Sequence, residues 1–505
     1  MTKKISKTAL STAAAFTTLA TLVTSAAAQN AGTSLTIYSS AQPGSLAAAN
    51  FKDADNAIAV PGYAVIKQSR DFTLQAGRTI VRVSDVPNFI DPTTVSFASL
   101  TDPAATSVVE QSFEFDLTST TKLLDKYLDR EVTVDVARGT ATETITGTLL
   151  GTQGGLVLRL NDGSLRTIAN YNGARLSALP GGLISKPTLV WDIAAQRAGT
   201  HKTRYTYQTG GITWWADYNV TLNEDKGCTM DLSAWVTIVN QTGARFEDAN
   251  LKLVAGDVKR VNPEVREDIQ VAKMSMRTSA APAAGFTEKS FFEYHLYTLG
   301  RTTTLANNST KQLELLPVSR GVRCEKVMVY DGQAGQYYGG GLMTERDLGV
   351  PSNKKVDVFL RFKNSKETGL GMPFPAGKIR VSKLDSADDS LEFIGEDLIT
   401  HTPKDETLLL KLGSAFDVVG SRRQVDFRVD TTAKWMEEDI EVKVRNQKDG
   451  PATVIVKENL NRWTNWNVIR KSQEFTKVDS RTLHFPITLA RGAEGAVKYT
   501  VRYSW

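Results

Sequence analysis

Alternation of apolar and polar residues in short segments is the feature that most constrains how this chain can fold. Apolar side chains recur at every second position in Val132–Val136, Leu156–Leu160 and Val497–Tyr503. Successive side chains of a β-strand point to opposite faces, so this period places them on one face. The Asn-Asp-Gly tripeptide at 161–163 marks a hairpin between two such segments. The pattern predicts an all-β chain built from tandem β-sandwich domains.

One short helix interrupts this pattern. Thr118 or Ser119 can cap a helix over Thr120–Leu128, whose apolar residues follow helical spacing at Leu123, Leu124, Tyr127 and Leu128. The segment Glu131–Asn170 that follows is strand-dense and punctuated by glycine. These features predict a small inserted five-strand β-barrel of the SH3-like kind.

The first 28 residues have the composition of a secretory signal peptide. Three lysines precede a long apolar stretch, which ends in Ala26–Ala28 before Gln29. A retained N-terminal anchor is the alternative. No later segment has the ~18–20 uninterrupted apolar residues that span a bilayer. We therefore expect a periplasmic, cell-surface associated or secreted protein.

Turn clusters and changes in composition predict five parts. They are a signal peptide at 1–28, an N-terminal β-sandwich at 29–118, the small barrel at 119–175, a central β-sandwich at 176–345 and a C-terminal β-sandwich at 346–505. A strand at Leu189–Ile193 is a candidate to complete the first sandwich. Two stretches have the composition of loops, 39–50 and the Ala/Pro-rich 275–285.

The chain has two cysteines, Cys228 and Cys324. An even, small number in an oxidising compartment favours a disulfide, and two buried free thiols are the alternative. The four histidines show no metal-ligand spacing relative to these cysteines or to one another; they are His201, His295, His401 and His484. The sequence therefore predicts a Cys228–Cys324 disulfide, no metal site and no cofactor.

Charge is nearly balanced along the chain. The formal net charge is +5, and three of the lysines but no acidic residue lie in residues 1–28. Basic residues never form a run of five. Strong electrostatic binding to nucleic acid needs a concentrated basic face, which only folding could assemble here.

No catalytic motif stands out. The sequence lacks H-E-x-x-H, G-x-S-x-G and the phosphate-binding loop G-x-x-x-x-G-K-[ST]. Acidic clusters at 385–389 and 437–439 are linear, whereas glycoside hydrolysis needs two carboxylates that face each other across a cleft. The sequence predicts that the protein is not an enzyme. A hydrolase of envelope glycan or peptide with a dispersed site is the alternative.

Aromatic residues are the most suggestive binding candidates. They form two groups in the sequence, namely Trp214, Trp215 and Tyr218, and then Trp463 and Trp466. Alternation points Trp214 and Trp215 to opposite faces of one strand. Exposed tryptophan can stack on sugar rings or anchor a protein partner, and packing in the core is the alternative.

Ordered motifs along the chain resemble a known family. They include the segments 83–87, 122–127, 211–218, 235–240, 251–257, 413–419 and 445–448. In this order they resemble a bacterial secreted family of unknown function that is related to the C-terminal domain of mucoidy-inhibitor-like proteins. The resemblance covers Gly77–Trp505 and implies a β-sandwich architecture and an envelope location. Gly420 departs from it, because a larger residue is expected there.

These observations lead to one expected function and two alternatives. We expect a secreted, non-catalytic envelope protein that binds a protein partner or a surface polysaccharide. The alternatives are binding of DNA or another polyanion through a basic face, and hydrolysis of envelope glycan or peptide.

Overall fold

The computed structural model describes residues 32–38, 44, 60–116, 119–178, 183–224, 227–256, 258–259, 285–333, 341–347, 352–385 and 387–505. The expected signal peptide at 1–28, nearly all of the loop at 39–50 and the loop at 275–285 up to residue 284 lie outside the described residues.

Strands dominate the described part of the chain, and the prediction of an all-β fold with sandwich-like sheets is confirmed. The first half contains β1 (Thr33–Tyr38), β2 (Tyr63–Leu74), β3 (Gly77–Val83), β4 (Ile90–Ser99), β5 (Thr106–Glu114), α1 (Thr120–Asp125), β6 (Glu131–Arg138), β7 (Ala141–Gly151), β8 (Leu156–Arg159), β9 (Leu165–Ile168), β10 (Gly173–Arg175), β11 (Thr188–Ala195), β12 (Gly199–Thr209), β13 (Ile212–Asn223) and β14 (Thr229–Asn240).

The second half contains the longest strands and a single 3-10 turn at Lys366–Thr368 among the described residues. Its strands are β15 (Phe246–Ala255), β16 (Phe286–Phe291), β17 (Tyr294–Leu305), β18 (Ser309–Asp331), β19 (Lys355–Lys363), β20 (Gly377–Leu384), β21 (Leu391–Ile399), β22 (Thr407–Asp430), β23 (Trp435–Asn446), β24 (Ala452–Asn459), β25 (Trp466–Lys471), β26 (Thr476–Lys477), β27 (Thr482–Leu489) and β28 (Glu494–Ser504).

The chain divides into two compact units. The smaller includes Ser69–Ser84 and Phe97–Arg204, and the larger includes Gly32–Gln68, Asp85–Ser96 and Tyr205–Trp505. Within the smaller unit, β11 lies between β3 and β5 and is antiparallel to both.

The smaller unit also contains the predicted helix, which ends at Asp125 rather than at Leu128, and the strands that follow it. The Ser119 hydroxyl accepts a hydrogen bond from the Lys122 N–H at 3.3 Å and so caps α1. The five strands pair in the order β10-β6-β7-β8-β9 over a core that includes Leu124, Tyr127 and Val134. In the described residues this sheet is open, with β10 and β9 at its edges, so it is not the closed barrel that we expected.

The larger unit repeats one strand arrangement three times. In each repeat a first strand (β14, β19 or β23) pairs antiparallel with a last strand (β18, β22 or β28). Between them in the chain lies a second antiparallel pair, which is β15–β17, β20–β21 or β24–β27. The leading strand of that second pair also lies parallel to an earlier strand, namely β1, β13 or β18. We call these repeats 1 (229–331), 2 (355–430) and 3 (435–504).

An asparagine is the last residue of the first strand in repeats 1 and 3 and directly follows that strand in repeat 2. The side-chain amides of Asn240, Asn364 and Asn446 each donate to two backbone carbonyls at 2.8–3.1 Å, one just after the asparagine and one before the last strand. The amide therefore ties two chain reversals together at the end of each sandwich. A buried amide needs several partners to offset its loss of hydration, and here both reversals supply them.

Two long strands join the repeats. The 23-residue β18 pairs with β14 over its first part and with β19 over its last part. The 24-residue β22 does the same with β19 and β23. Each strand therefore ends one repeat and pairs with the first strand of the next. The repeats share backbone hydrogen bonds through these strands, so they are not separate modules.

The bridge between Cys228 and Cys324 is confirmed, with an S–S distance of 1.99 Å. Cys228 precedes β14 and Cys324 lies in β18, and the Cys324 N–H also donates to the Cys228 carbonyl at 3.0 Å. The disulfide therefore fastens the two strands that open and close repeat 1.

Gly420 shows why a larger residue does not fit at that position. A Cβ atom there would lie 2.2 Å from Cε2 and 2.3 Å from Cδ2 of the buried Tyr330 ring. We expect Gly420→Ala to lower the free energy of unfolding by about 3 kcal/mol, because the packed core cannot move the ring aside without strain. Urea unfolding measures this. The control is Gly450→Ala, where a Cβ would meet nothing within 4 Å; equal stability of the two variants would contradict the steric explanation.

Candidate ligand-binding face

Two of the aromatic residues singled out from the sequence belong to the core. Trp214 is 2% exposed and Tyr218 is fully buried. The Tyr218 hydroxyl donates to the Pro375 carbonyl at 2.7 Å, and burial raises the pKa of this phenol well above its usual range. Their burial leaves these two side chains no face for a ligand.

Trp215 lies on the opposite, solvent side of the same strand. Cross-strand pairing places Trp215 opposite Thr237 and Asp217 opposite Trp235 of β14. Opposite residues of an antiparallel pair share a face, so these four side chains form one group in which the two indoles are diagonal neighbours. Trp215 is half-buried and Trp235 is 36% exposed. The two tryptophans therefore present part of their rings to solvent.

A row of polar groups lies between the two indoles. The Asp217 carboxylate accepts from the Thr237 hydroxyl at 2.8 Å and from Arg380 Nη1 of β20 at 3.2 Å. Gln312 of β18 donates to the Thr237 hydroxyl at 3.2 Å. The row thus crosses four strands, β20, β13, β14 and β18. We call this surface the tryptophan face; it consists of Trp215, Asp217, Trp235, Thr237, Gln312 and Arg380.

Ion pairs extend the row at one end. Glu396 of β21 lies 3.6 Å from Arg380 Nε and 3.1 Å from the Lys378 ammonium. Arg380 thereby bridges two carboxylates, which holds its planar guanidinium in place on the sheet. The tryptophan face offers flat apolar rings beside oriented donors and acceptors. That combination suits a ligand with both apolar faces and hydroxyl or amide groups.

The second aromatic pair is engaged in contacts within repeat 3. Trp463 is half-buried and packs against the core of that repeat. The Trp466 indole N–H donates to the Ser480 carbonyl at 2.9 Å, and the Lys477 ammonium lies 4.6 Å from the ring centroid. A lysine over an indole is a favourable cation–π contact. The structure therefore gives both side chains structural neighbours.

The core of repeat 3 contains a buried ion pair. Arg422 Nε lies 3.1 Å from both carboxylate oxygens of Glu458, and the Tyr499 hydroxyl donates to Glu458 as well. Burial raises the pKa of the Glu458 carboxyl, although Arg422 opposes this. Burial disfavours the Arg422 charge too, but Glu458, Tyr499 and Glu438 together outweigh it and raise the pKa of Arg422. The pair is inaccessible to solvent, so we assign it to the architecture of the core.

A second buried pair lies beside the first. Arg462 Nε is 2.8 Å from Glu438, and Arg462 also donates to the carbonyls of Glu345 and Arg346 at 2.6 and 3.3 Å. Arg462 thus binds the segment 341–347 to the end of the sandwich. One side of its guanidinium packs against the Phe427 ring, and Cζ lies 4.6 Å from the ring centroid.

The outer face of β23 carries a row of carboxylates covered by cations. Glu437, Asp439 and Glu441 each lie within 3.3 Å of two basic side chains, drawn from Arg423, Arg428, Arg470, Lys498 and Arg502. Five basic side chains thus share three carboxylates on this row. The side chains of the row therefore keep a formal excess of two positive charges.

The described residues hold neither a cluster of metal ligands nor a helix that could span a membrane. They contain no group of three or more His, Cys, Asp or Glu side chains that could hold a metal ion. Within the same residues, every helix is too short or too polar to cross a membrane.

Comparison with known proteins adds no relative. No family model, no curated protein and no solved structure matches the chain. The family resemblance drawn from the ordered motifs therefore stays a prediction.

Sequence reasoning missed Trp235, Asp217 and Arg380 as site residues. The signal for Trp235 was present, because it alternates with the apolar set Leu232, Ala234, Val236 and Ile238 and so belongs to the polar face of its strand. No pattern in the sequence around Arg380 indicated that it belongs to this site. It reaches Asp217 only because β20 lies parallel to β13, across 163 residues of chain.

Proposed function

We propose that this protein is a non-catalytic, extracytoplasmic protein that binds a glycan chain of the cell envelope through the tryptophan face. The observation that carries the proposal is the diagonal pair Trp215 and Trp235 with the polar row between them. The apolar face of a sugar ring can stack on an indole, while its hydroxyls bond to oriented side chains. The disulfide and the expected signal peptide support a location outside the cytoplasm.

The polar row favours a glycan over a protein partner. The centre of a protein interface is depleted in charged residues and is desolvated on binding. Here a carboxylate and a guanidinium occupy the centre, where Asp217 meets Arg380 at 3.2 Å. Displacing their water would be costly for an apolar partner but not for a ligand that supplies hydroxyl groups.

The two alternative functions receive less support. A hydrolase needs a proton donor and a second carboxylate across the scissile bond. Asp217 and Glu396 are instead both bound to the single guanidinium of Arg380. A polyanion site needs a large excess of cations, and the outer face of β23 has five cations for three carboxylates.

We expect Trp235→Ala and Trp215→Ala each to weaken glycan binding at least about tenfold, because each removes a stacking surface. The probe is purified envelope polysaccharide, in a retention assay supported by tryptophan fluorescence. Trp466→Ala is the matched control, since it removes an indole that lies on β25. Melting temperatures show that the variants fold.

Three outcomes would contradict the proposal. Equal retention of Trp235→Ala, Trp215→Ala and wild type would remove the tryptophan face as the site. Retention that falls steeply with salt on both glycan and DNA would move the function to polyanion binding. Release of shortened glycan by the wild-type protein would show a hydrolase.

A further inference from the structure

Repeat 2 carries an aromatic side chain at the position that Trp235 has in repeat 1. Trp235 lies five residues before Asn240, and Phe359 lies five residues before Asn364. The two asparagines hold equivalent reversals, so the two aromatic positions are equivalent in the sandwich. Phe359 is half-buried, so part of the residue is accessible to solvent.

The polar neighbours of this phenylalanine also match those of the tryptophan face. Asp357 accepts from the Ser414 hydroxyl at 3.0 Å and pairs with the Lys411 ammonium at 2.6 Å. On the tryptophan face, Asp217 of β13 likewise accepts from one hydroxyl and one cation. Both surfaces thus place a carboxylate, held by a hydroxyl and a positive group, beside an aromatic ring.

Large apolar side chains on β22 complete this surface. Leu409 is 52% exposed and Phe416 is 95% exposed. Leu409 pairs with Arg361, which shares the face of Phe359, and Phe416 lies two residues beyond Ser414 on the same strand. We call Phe359, Leu409 and Phe416 the aromatic patch. Leu409 and Phe416 lie seven residues apart on β22, so the patch is an extended line of apolar groups and not a compact cluster.

The tryptophan face and the aromatic patch lie on the same side of one continuous sheet. Trp235 pairs with Glu314 of β18, and Phe359 pairs with Val327 thirteen residues further along that strand. In a regular strand, an odd spacing would place the partners of Trp235 and Phe359 on opposite faces. Three register shifts in the β14–β18 pairing each add one residue to β18, so the two aromatic side chains lie on the same face. The rise along a strand separates the two surfaces by about 30–40 Å.

We propose that the aromatic patch is a second contact region for the same glycan chain. The inference rests on the function proposed above, and it adds that the ligand is a long, extended chain rather than a short oligosaccharide. Once the tryptophan face holds one part of the chain, the aromatic patch meets the next part at a high effective concentration. Affinity therefore increases when the chain becomes long enough to span both regions.

The test compares long glycan strands with short fragments cut from the same material. We expect wild type to bind the long strands at least about tenfold more tightly, and Phe416→Ser to lose this advantage while binding short fragments as before. Val429→Ser is the matched control, because Val429 is an exposed apolar residue near the far end of the same strand, thirteen residues beyond Phe416. Leu409→Ser is a second, independent variant, so the result does not depend on the folding of one protein.

The outcomes separate this inference from the proposed function. If wild type binds long and short chains equally and Phe416→Ser changes neither, the second region is overturned and the tryptophan face stands. If no glycan of either length is bound, both proposals fall. A concentration-dependent dimer that Phe416→Ser abolishes in sedimentation would assign the patch to an interface between copies and would overturn the inference.

Discussion

Replacing Glu458 by glutamine is expected to lower the free energy of unfolding by about 3–5 kcal/mol. The glutamine retains an acceptor for the Tyr499 hydroxyl but leaves the Arg422 charge without its carboxylate in the core of repeat 3. A buried charge that loses its partner loses the attraction that offset its dehydration. Urea unfolding of the purified variant measures the effect.

The double variant Arg422→Met/Glu458→Gln tests the cause. It removes the charge as well as its partner, so we expect it to be clearly more stable than Glu458→Gln alone. Arg422→Met alone leaves a buried carboxylate and should be as unstable as the glutamine variant. If the double variant is no more stable than either single variant, the loss comes from packing and not from the buried charge.

Removing the disulfide is expected to cost about 4–5 kcal/mol if its effect is mainly on the unfolded chain. The bridge joins residues separated by 96 positions, which is a long loop to constrain. The variant Cys228→Ala/Cys324→Ala should unfold at a lower urea concentration while its folded state retains the β14–β18 pairing. Reduced wild type is the control and should match it.

A cost below about 1 kcal/mol would contradict this expectation. It would mean that the unfolded chain between the two cysteines is already compact, or that strand pairing alone closes repeat 1. Single cysteine variants are less informative, because the remaining thiol can form bridges between molecules.

The way in which the repeats are joined fixes the distance between the two proposed binding regions. Because β18 and β22 each run through two repeats, surfaces on successive repeats belong to one sheet and keep a defined spacing. Separate sandwiches joined by linkers would not hold two binding regions at a constant distance. The shared strands therefore favour a ligand that is long and extended.

Much of the fold could be predicted from local patterns. Period-two alternation predicted strands, and a cap at Thr118 or Ser119 predicted the start of the only α-helix in the described residues. The even cysteine count favoured the bridge that is present. The threefold repeat was harder to predict from the sequence, because what repeats is a single asparagine and an order of strands. No longer stretch of sequence is repeated with them. The prediction of a closed barrel was wrong, since five short strands can also pair in an open sheet.

The sequence alone determined which side chains face which way along each strand. Alternation is a property of the extended backbone, so Trp214 and Trp215 had to point to opposite faces whatever surrounded them. Which face became the core, and which residues met on the other, depended on strand pairing. Arg380 joins Asp217 through parallel pairing of strands far apart in the chain, and Glu458 finds Arg422 across a sandwich. Such contacts form between distant segments, so only the tertiary structure could decide them.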